Sequence, residues 1–302
     1  MEILSYAPTL LPELTEAYNK ITLGVPHCYP VSVEEFASGI AGVVEEENGH
    51  DRLHSEAAFV GKEGGSILGF VHVGVERPEA GDASEAGVIR FLWYERGQRA
   101  VGQALLDAAE NYLRNHNVRQ ITAFPQDYRY SFYHLRAAYL SDHLDPVQAI
   151  LGFNGYERVG GEVFLDWPNY APTVTPLSDV RVDISLQWEQ GRGARPGLIV
   201  QGRQGEKEIG TCECVSAGEY SRSEEAQDWS FTTGLDIAEE MQGKGLGRFL
   251  LQRALEEMHG IGYRHAAIST GWRNFRAFLF YSNCGYHVVD WTYGLRRELK
   301  AV

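Results

Sequence analysis

Apolar residues recur along the chain with two periods, and the switches between them mark out its elements. Residues 2–7 read as a short strand. From Thr9 to Ile21, the residues Leu10, Leu11, Leu14, Ala17, Tyr18 and Ile21 share one face at helical spacing. Ser32 with Glu35 three residues on matches a capping box for a second helix near 33–44. Two apolar runs around a glycine-rich turn predict a hairpin over 57–75, and Gly87–Tyr94 reads as a further strand. A helix to about Asn115 and a strand over 119–124 follow. Residues 166–179 hold Pro168, Pro172 and Pro176 with no period, the pattern of a linker. Beyond them Val180–Trp188, Leu198–Gln201 and Glu208–Val215 read as strands, with no helical stretch between the first two. Trp229–Ile237 is the next strand. Phe249, Leu250, Leu251, Ala254, Leu255 and Met258 then mark one face of a helix, and His265–Thr270 is a strand again.

This order occurs twice. Arg96-Gly97-Gln98-Arg99-Ala100-Val101-Gly102 precedes a helix and a strand, as Gln242-Gly243-Lys244-Gly245-Leu246-Gly247-Arg248 does. Aligning Gly102 with Gly247 sets Ala100 on Gly245 and Gly97 on Gln242. Aligning Gly155-Tyr156 with Gly285-Tyr286 sets Leu151 on Tyr281. The chain reads as an internal duplication: a first domain at 1–168, a linker at 169–179 and a second domain at 180–302. The expected class is α+β, each domain a twisted, mostly antiparallel sheet with flanking helices.

The chemistry concentrates in the second glycine stretch. A strand runs into a glycine-rich turn that opens a helix, so backbone N–H groups and the positive end of the helix dipole point at one spot. Gly243, Gly245 and Gly247 carry no Cβ, which lets a ligand approach the backbone. Phosphate or pyrophosphate is the natural occupant. A Walker A loop is excluded, because Gly-Lys followed by Ser or Thr is absent; a Rossmann fingerprint is excluded because the glycines fall at Gly-x-Gly-x-Gly. On the loop alone, a glycine-rich helix entry without a ligand stays open.

Gln242-x-x-Gly245-x-Gly247 ahead of an amphipathic helix resembles the acetyl-CoA pyrophosphate loop of the GNAT N-acetyltransferases. One strand later, Asn274, Ala277, Tyr281 and Gly285-Tyr286 resemble that family's second signature. The resemblance covers about residues 180–299. It implies two tandem GNAT-fold domains. It implies that Gln242, Gly243, Lys244, Gly245, Leu246, Gly247 and Arg248 hold the pyrophosphate of acetyl-CoA. Backbone N–H groups around Leu235 and Ile237 would polarise the thioester, Asn274 and Ala277 would meet the pantetheine arm, and Tyr281 would protonate the departing thiolate. Arg273 and Arg276 are candidates for the 3′-phosphate or are solvated surface arginines. The general base is open among Asp228, Asp236, Glu224, Glu225 and His265, with Asp236 named as catalytic. The first copy departs from the family pattern at Ala100 and Leu151, so it reads as degenerate. The second has no helices between its first strands, and the first domain's aromatic segment 126–146 is offered as the missing acceptor wall.

The implied activity is acetyl transfer to a primary amine by direct attack, with the donor in the second domain. The alternatives are an acetyl-CoA-binding regulatory module without turnover, and an N-acetyltransferase acting on protein. The layout is similar to that of mycothiol synthases and other two-domain acetyltransferases, and no acceptor is selected among them. The net charge of −14 opposes a nucleic-acid surface; it is compatible with a cationic amine acceptor, and a solvated acidic surface is the simpler reading. No apolar run reaches the roughly 18 residues of a membrane span. No secretory pattern opens the chain, so a cytoplasmic monomer or homodimer is expected. Cys28, Cys212, Cys214 and Cys284 are too few for a disulfide framework. Cys212 and Cys214 lack further ligands at zinc spacing, so buried free thiols and no metal are expected.

Overall fold

The computed structural model describes residues 1–41, 53–77, 85–178 and 180–299. They form two compact units, Met1–Glu162 with Asp290–Val302, and Val163–Val289.

The first unit contains β1 (Glu2–Ser5), α1 (Leu11–Thr22), α2 (Val33–Ile40), β2 (Leu53–Glu63), β3 (Ser66–Glu76), β4 (Ala86–Tyr94), α3 (Arg99–Arg114), β5 (Gln120–Ala123), β6 (Leu140–Ser141), α4 (Asp145–Phe153) and the start of β7 (Glu157–Trp167). The Ser32 hydroxyl and the Glu35 carboxylate close the expected capping box on α2. Residues 42–44 of the helix read from the sequence lie outside the described residues. β1 to β4 pair antiparallel in sequence order, and β4 meets β5 in parallel.

The second unit contains β8 (Asp183–Glu189), β9 (Gly197–Gln204), β10 (Lys207–Ser216), the short α5 (Glu224–Gln227), β11 (Trp229–Ile237), α6 (Leu246–Gly260), β12 (His265–Gly271), α7 (Phe275–Ser282) and the start of β13 (His287–Glu298). Here β8 to β11 pair antiparallel in order, and β11 meets β12 in parallel. The far end of β13, Leu295–Glu298, pairs with β5 inside the first unit.

The unit boundaries fall inside β7 and β13 rather than in the proline-bearing stretch. Composition explains the difference, since prolines mark where regular structure stops and not where packing changes hands. Asp166 and Trp167 still belong to β7. The Tyr170 N–H donates to the Arg264 carbonyl at 3.1 Å, and the Thr175 N–H donates to Gln252 Oε1 at 2.9 Å. The stretch therefore lies along the second unit. α6 buries Leu246, Leu250, Leu251, Ala254, Leu255 and Met258, a stripe in which each large side chain contributes about 1.5–3 kcal/mol of transfer free energy. Cys28, Cys212 and Cys214 are buried free thiols.

The aromatic segment 126–146 is core of the first unit. Tyr128, Tyr130, Phe132 and Tyr133 are buried, and the rings of the last three lie 5.3–6.5 Å from those of Tyr18, Phe36, Phe91 and Phe124. These rings are spent on the core of their own unit. Also in this unit, Asp142, His143 and Asp290 bring ligand-type atoms within 4.8 Å of one another, a grouping that sequence spacing does not disclose.

Beside the ring cluster, a polar network gathers the buried His72 and Arg90 around the partly exposed Glu56. The His72 Nε2 is 3.2 Å from Glu56 Oε2, and its Nδ1 is 2.9 Å from the Tyr130 hydroxyl. A neutral imidazole satisfies both, with Nε2–H donating to the carboxylate and Nδ1 accepting from the phenol. Arg90 Nη1 donates to the same Glu56 oxygen at 2.9 Å, and its Nε donates to the Tyr128 carbonyl. Burial, aided by Arg90, holds His72 below the ordinary imidazole value of 6.5, although Glu56 pulls the other way. For Glu56, burial would raise the carboxyl, and the contacts from His72 and Arg90 outweigh it, leaving it below 4.5.

Both depressed values act with one sign. The unfolded chain binds these protons more readily, so the stability from His72 is full above about pH 6.5 and fades below it; that from Glu56 fades further down. Thermal unfolding should therefore show a midpoint that falls between pH 7.5 and 5.5, with a smaller fall in His72→Gln. Equal falls in the two proteins would contradict the assignment.

Candidate active site

The site of the second unit is built at the C-terminal end of β11. The parallel pairing of β11 with β12 runs from Trp229–His265 to Thr232–Ile268 and stops there. β11 continues to Ile237 on its other edge, paired to Gly210 of β10. The edge from Thr233 to Ile237 thus leaves the β12 ladder, and the peptide groups there face the gap between the strands. Glu213 faces Gly234 while Cys214 faces Thr232, so Thr233 is an extra residue, a β-bulge at the mouth of the gap.

Eight residues, 238–245, join β11 to α6. Met241 is buried and anchors the first turn, and Gln242 Nε2 donates back to the Ile237 carbonyl at 3.0 Å. Gly243 has φ 75° and Gly245 has φ 84°, left-handed values that favour glycine. A Cβ on Gly245 would meet only Leu177, at 3.7 Å, so the space over the loop is open. The first α6 N–H that finds an acceptor one turn back is that of Phe249, which donates to the Gly245 carbonyl at 3.1 Å. Those of Leu246, Gly247 and Arg248 come before it, and donors at a helix start have no carbonyl of their own helix. Gly243, Lys244, Gly245 and Arg248 are exposed. The exposed loop and the donors of this helix start stand together at the end of the strand gap.

α7 closes on the same place. A Cβ on Gly247 would stand 3.4 Å from Ile237 and 3.9 Å from the Phe280 ring, so strand end, helix start and α7 converge. Arg248 hydrogen-bonds the Cys284 thiol; burial still pushes that thiol up on balance. Tyr281 is buried, with its ring 5.2 Å from Phe280 and 6.2 Å from Tyr286. Asn274 is exposed and caps α7, its Oδ1 accepting from the Ala277 N–H at 3.1 Å. Leu235 and Ile237 are half-buried and Asp236 is exposed. Arg273 and Arg276 are exposed, with the Arg273 guanidinium 4.6 Å from the Trp272 ring centre.

The other candidate bases stand off β11, and two of them are engaged. His265 Nδ1 accepts from the Asn169 N–H at 3.0 Å, and Asp228 pairs with Arg195 at 3.1 Å. All lie at the far end of the β11–β12 pair: Asp228 directly precedes β11, His265 opens β12 opposite Trp229, and Glu224 and Glu225 stand in α5. At about 3.3 Å per strand residue, that end is roughly 20 Å from Gly234. Glu213 went unselected in the sequence reading, which took β10 only as one strand of a pair. The signal that could have found it is Gly234, since a glycine within a strand run marks a bulge or a close approach.

The first unit builds the same scaffold and fills it. Its β4–β5 pairing likewise stops after Ile89–Ala123, and Arg90 is its bulged residue. Only residues 95–98 join β4 to α3. Tyr94 packs on the α3 start so closely that a Cβ on Gly102 would fall 2.5 Å from its ring. The Tyr156 N–H donates to the Leu151 carbonyl as the Tyr286 N–H does to that of Tyr281, so Leu151 holds the Tyr281 position.

Residues 164–286 match the acetyltransferase (GNAT) family model. No curated protein sequence matches the chain. Among solved structures, a tandem GNAT protein from the clavulanic acid biosynthesis pathway, determined without acetyl-CoA, superposes with TM-score 0.68 at 13% identity over 100% of this chain and 99% of its own. A GCN5-related N-acetyltransferase from Sphaerobacter thermophilus gives 0.60 at 12% identity, over 99% and 96%. A GCN5-related glucosamine N-acetyltransferase region of a fungal multi-domain GH3 β-N-acetylglucosaminidase gives 0.63 at 14% identity, covering 98% of this chain and 38% of that one. Among the described residues no helix is long and apolar enough to cross a membrane. Residues 164–286 are a GNAT-family acetyltransferase domain, which places the chain among the acyltransferases, and the whole chain has the fold of tandem GNAT proteins.

Proposed function

We propose that the chain transfers the acetyl group of acetyl-CoA to a primary amine, with the donor held by the second unit alone. The observation that carries this reading is the meeting of the open left-handed loop Gly243–Gly245 and the α6 N-terminus with the unpaired edge Thr233–Ile237. Pyrophosphate placed on the N–H groups of Gly243 to Arg248 lets the pantetheine arm run along that edge as an extra strand. An edge N–H then donates to the thioester oxygen as negative charge develops there.

The amine attacks the thioester carbon, the C–S bond breaks, and Tyr281 gives a proton to the leaving sulfur. The first unit serves as scaffold, because Tyr94, Phe91 and Leu151 occupy the equivalent loop, gap and acid positions. The test is thiol release from acetyl-CoA with glucosamine (the substrate class named for one structural neighbour), spermidine and an alanyl peptide as acceptors. Amine-dependent release supports the reading. Acetyl-CoA binding with no release on any amine would favour a regulatory module instead.

A further inference from the structure

The donor reading leaves open which group takes the proton of the acceptor, and the register of β10 on β11 answers it. On β10, Gly210, Cys212 and Cys214 face α6: a Cβ on Gly210 would stand 3.0 Å from Leu250, and both cysteines are buried. Alternation puts Thr211, Glu213 and Val215 on the opposite face. That face is open at this point, since Glu213 is exposed. Glu213 stands beside the bulge, directly opposite Gly234, and its Oε2 would be 3.7 Å from a Cβ placed on that glycine. The glycine leaves vacant the ground next to the carboxylate, where β11 has already parted from β12.

The repeat supplies an internal comparison. In the first unit the residue opposite the bulge is His72, and it faces Phe91 where Glu213 faces Gly234. There the titratable group is locked to Glu56 and Tyr130, and the ring of Phe91 fills the space against Tyr18, Tyr130 and Tyr133. One scaffold position thus carries a titratable side chain in both copies, sealed in one and open in the other. Asp236 shares the open face but pairs with Thr211, two residues further along the strand.

We infer that Glu213 is the catalytic carboxylate that receives the acceptor ammonium and takes its proton, an inference that rests on the donor site proposed above. The ammonium gives one proton to Glu213, and the free amine forms the C–N bond. The C–S bond breaks with its electron pair on sulfur, which takes the Tyr281 proton. The nitrogen releases its second proton as the amide forms, and that proton returns to the phenolate. Glu213 passes its own to solvent, so one proton is released per turnover. The acceptor class is a primary amine protonated at neutral pH.

The test is Glu213→Gln and Glu213→Asp, assayed by thiol release with glucosamine, spermidine and the alanyl peptide from pH 7 to 9.5, together with acetyl-CoA binding by calorimetry. At pH 7, kcat/KM for the amine should fall roughly 10²-fold or more in Glu213→Gln. Acetyl-CoA affinity should be unchanged and Glu213→Asp should recover part of the rate. The deficit should shrink as pH approaches the amine's own pKa, because solvent then supplies the free amine. Glu213→Gln within about twofold of wild type would overturn the inference while leaving the donor reading intact. So would a deficit constant across pH, loss of acetyl-CoA binding, or Asp236→Asn carrying the loss instead. A wild-type protein inactive on all three amines would overturn the proposed function and this inference with it.

Discussion

Tyr281→Phe is expected to lower kcat by roughly 10²-fold while leaving the dissociation constant of acetyl-CoA within about twofold. The magnitude sits at the lower end of general acid catalysis for a chemical reason. The leaving group is a thiolate whose conjugate acid has a pKa near 8.5, so it departs with less help than an alkoxide or amide would. The variant keeps the ring, and with it the packing against Phe280 and Tyr286, so α7 should hold its place. Single-turnover acetyl transfer separates the two quantities. An unchanged kcat would remove Tyr281 from the acid role and make it a packing residue, as Leu151 is in the first unit.

Gly245→Asp should weaken acetyl-CoA binding by at least 100-fold with little loss of stability. Three effects decide this. The left-handed φ of 84° costs a non-glycine residue about 1–2 kcal/mol. A carboxylate beside the helix N-terminus returns about 0.3–1 kcal/mol through the positive end of the α6 dipole. The new side chain has room, with Leu177 its nearest neighbour. What remains is the carboxylate itself, which takes the donors that a pyrophosphate would use and repels it. Calorimetry with thermal unfolding checks both halves. Binding that survives the substitution would take the cofactor away from this loop; a collapsed midpoint would mean that the loop is structural.

The parts of this protein that depend on local pattern were legible in the sequence. The capping box Ser32–Glu35, the hairpin of β2 and β3, the glycine loop and five of the six buried apolar residues of α6 all follow from spacing within a few turns; Leu246 joins that stripe in place of Phe249, which is half-buried. The register equivalence of Leu151 and Tyr281 was also available, because Gly155-Tyr156 and Gly285-Tyr286 fix the alignment. What escaped depends on pairing between distant residues. Nothing local to His287–Glu298 announces that its far end pairs with β5, so the unit boundaries fall where composition gives no sign. The packing of the 126–146 aromatics around Phe91 has no local sign, because Tyr18 and Phe36 lie roughly 90–115 residues upstream of the rings they meet. Glu213 gains its place only from a one-residue bulge at Thr233, and a bulge shifts register without changing the apolar pattern of either strand.

The measurement that tests the central claim most directly is a crystal structure of the protein with coenzyme A. The account predicts one molecule per chain. Its pyrophosphate should lie against the N–H groups of Gly243 to Arg248, its pantetheine arm along Thr233–Ile237, and its sulfur near the Tyr281 hydroxyl. A coenzyme seated instead on the Arg99 end of α3, in the first unit, would contradict it.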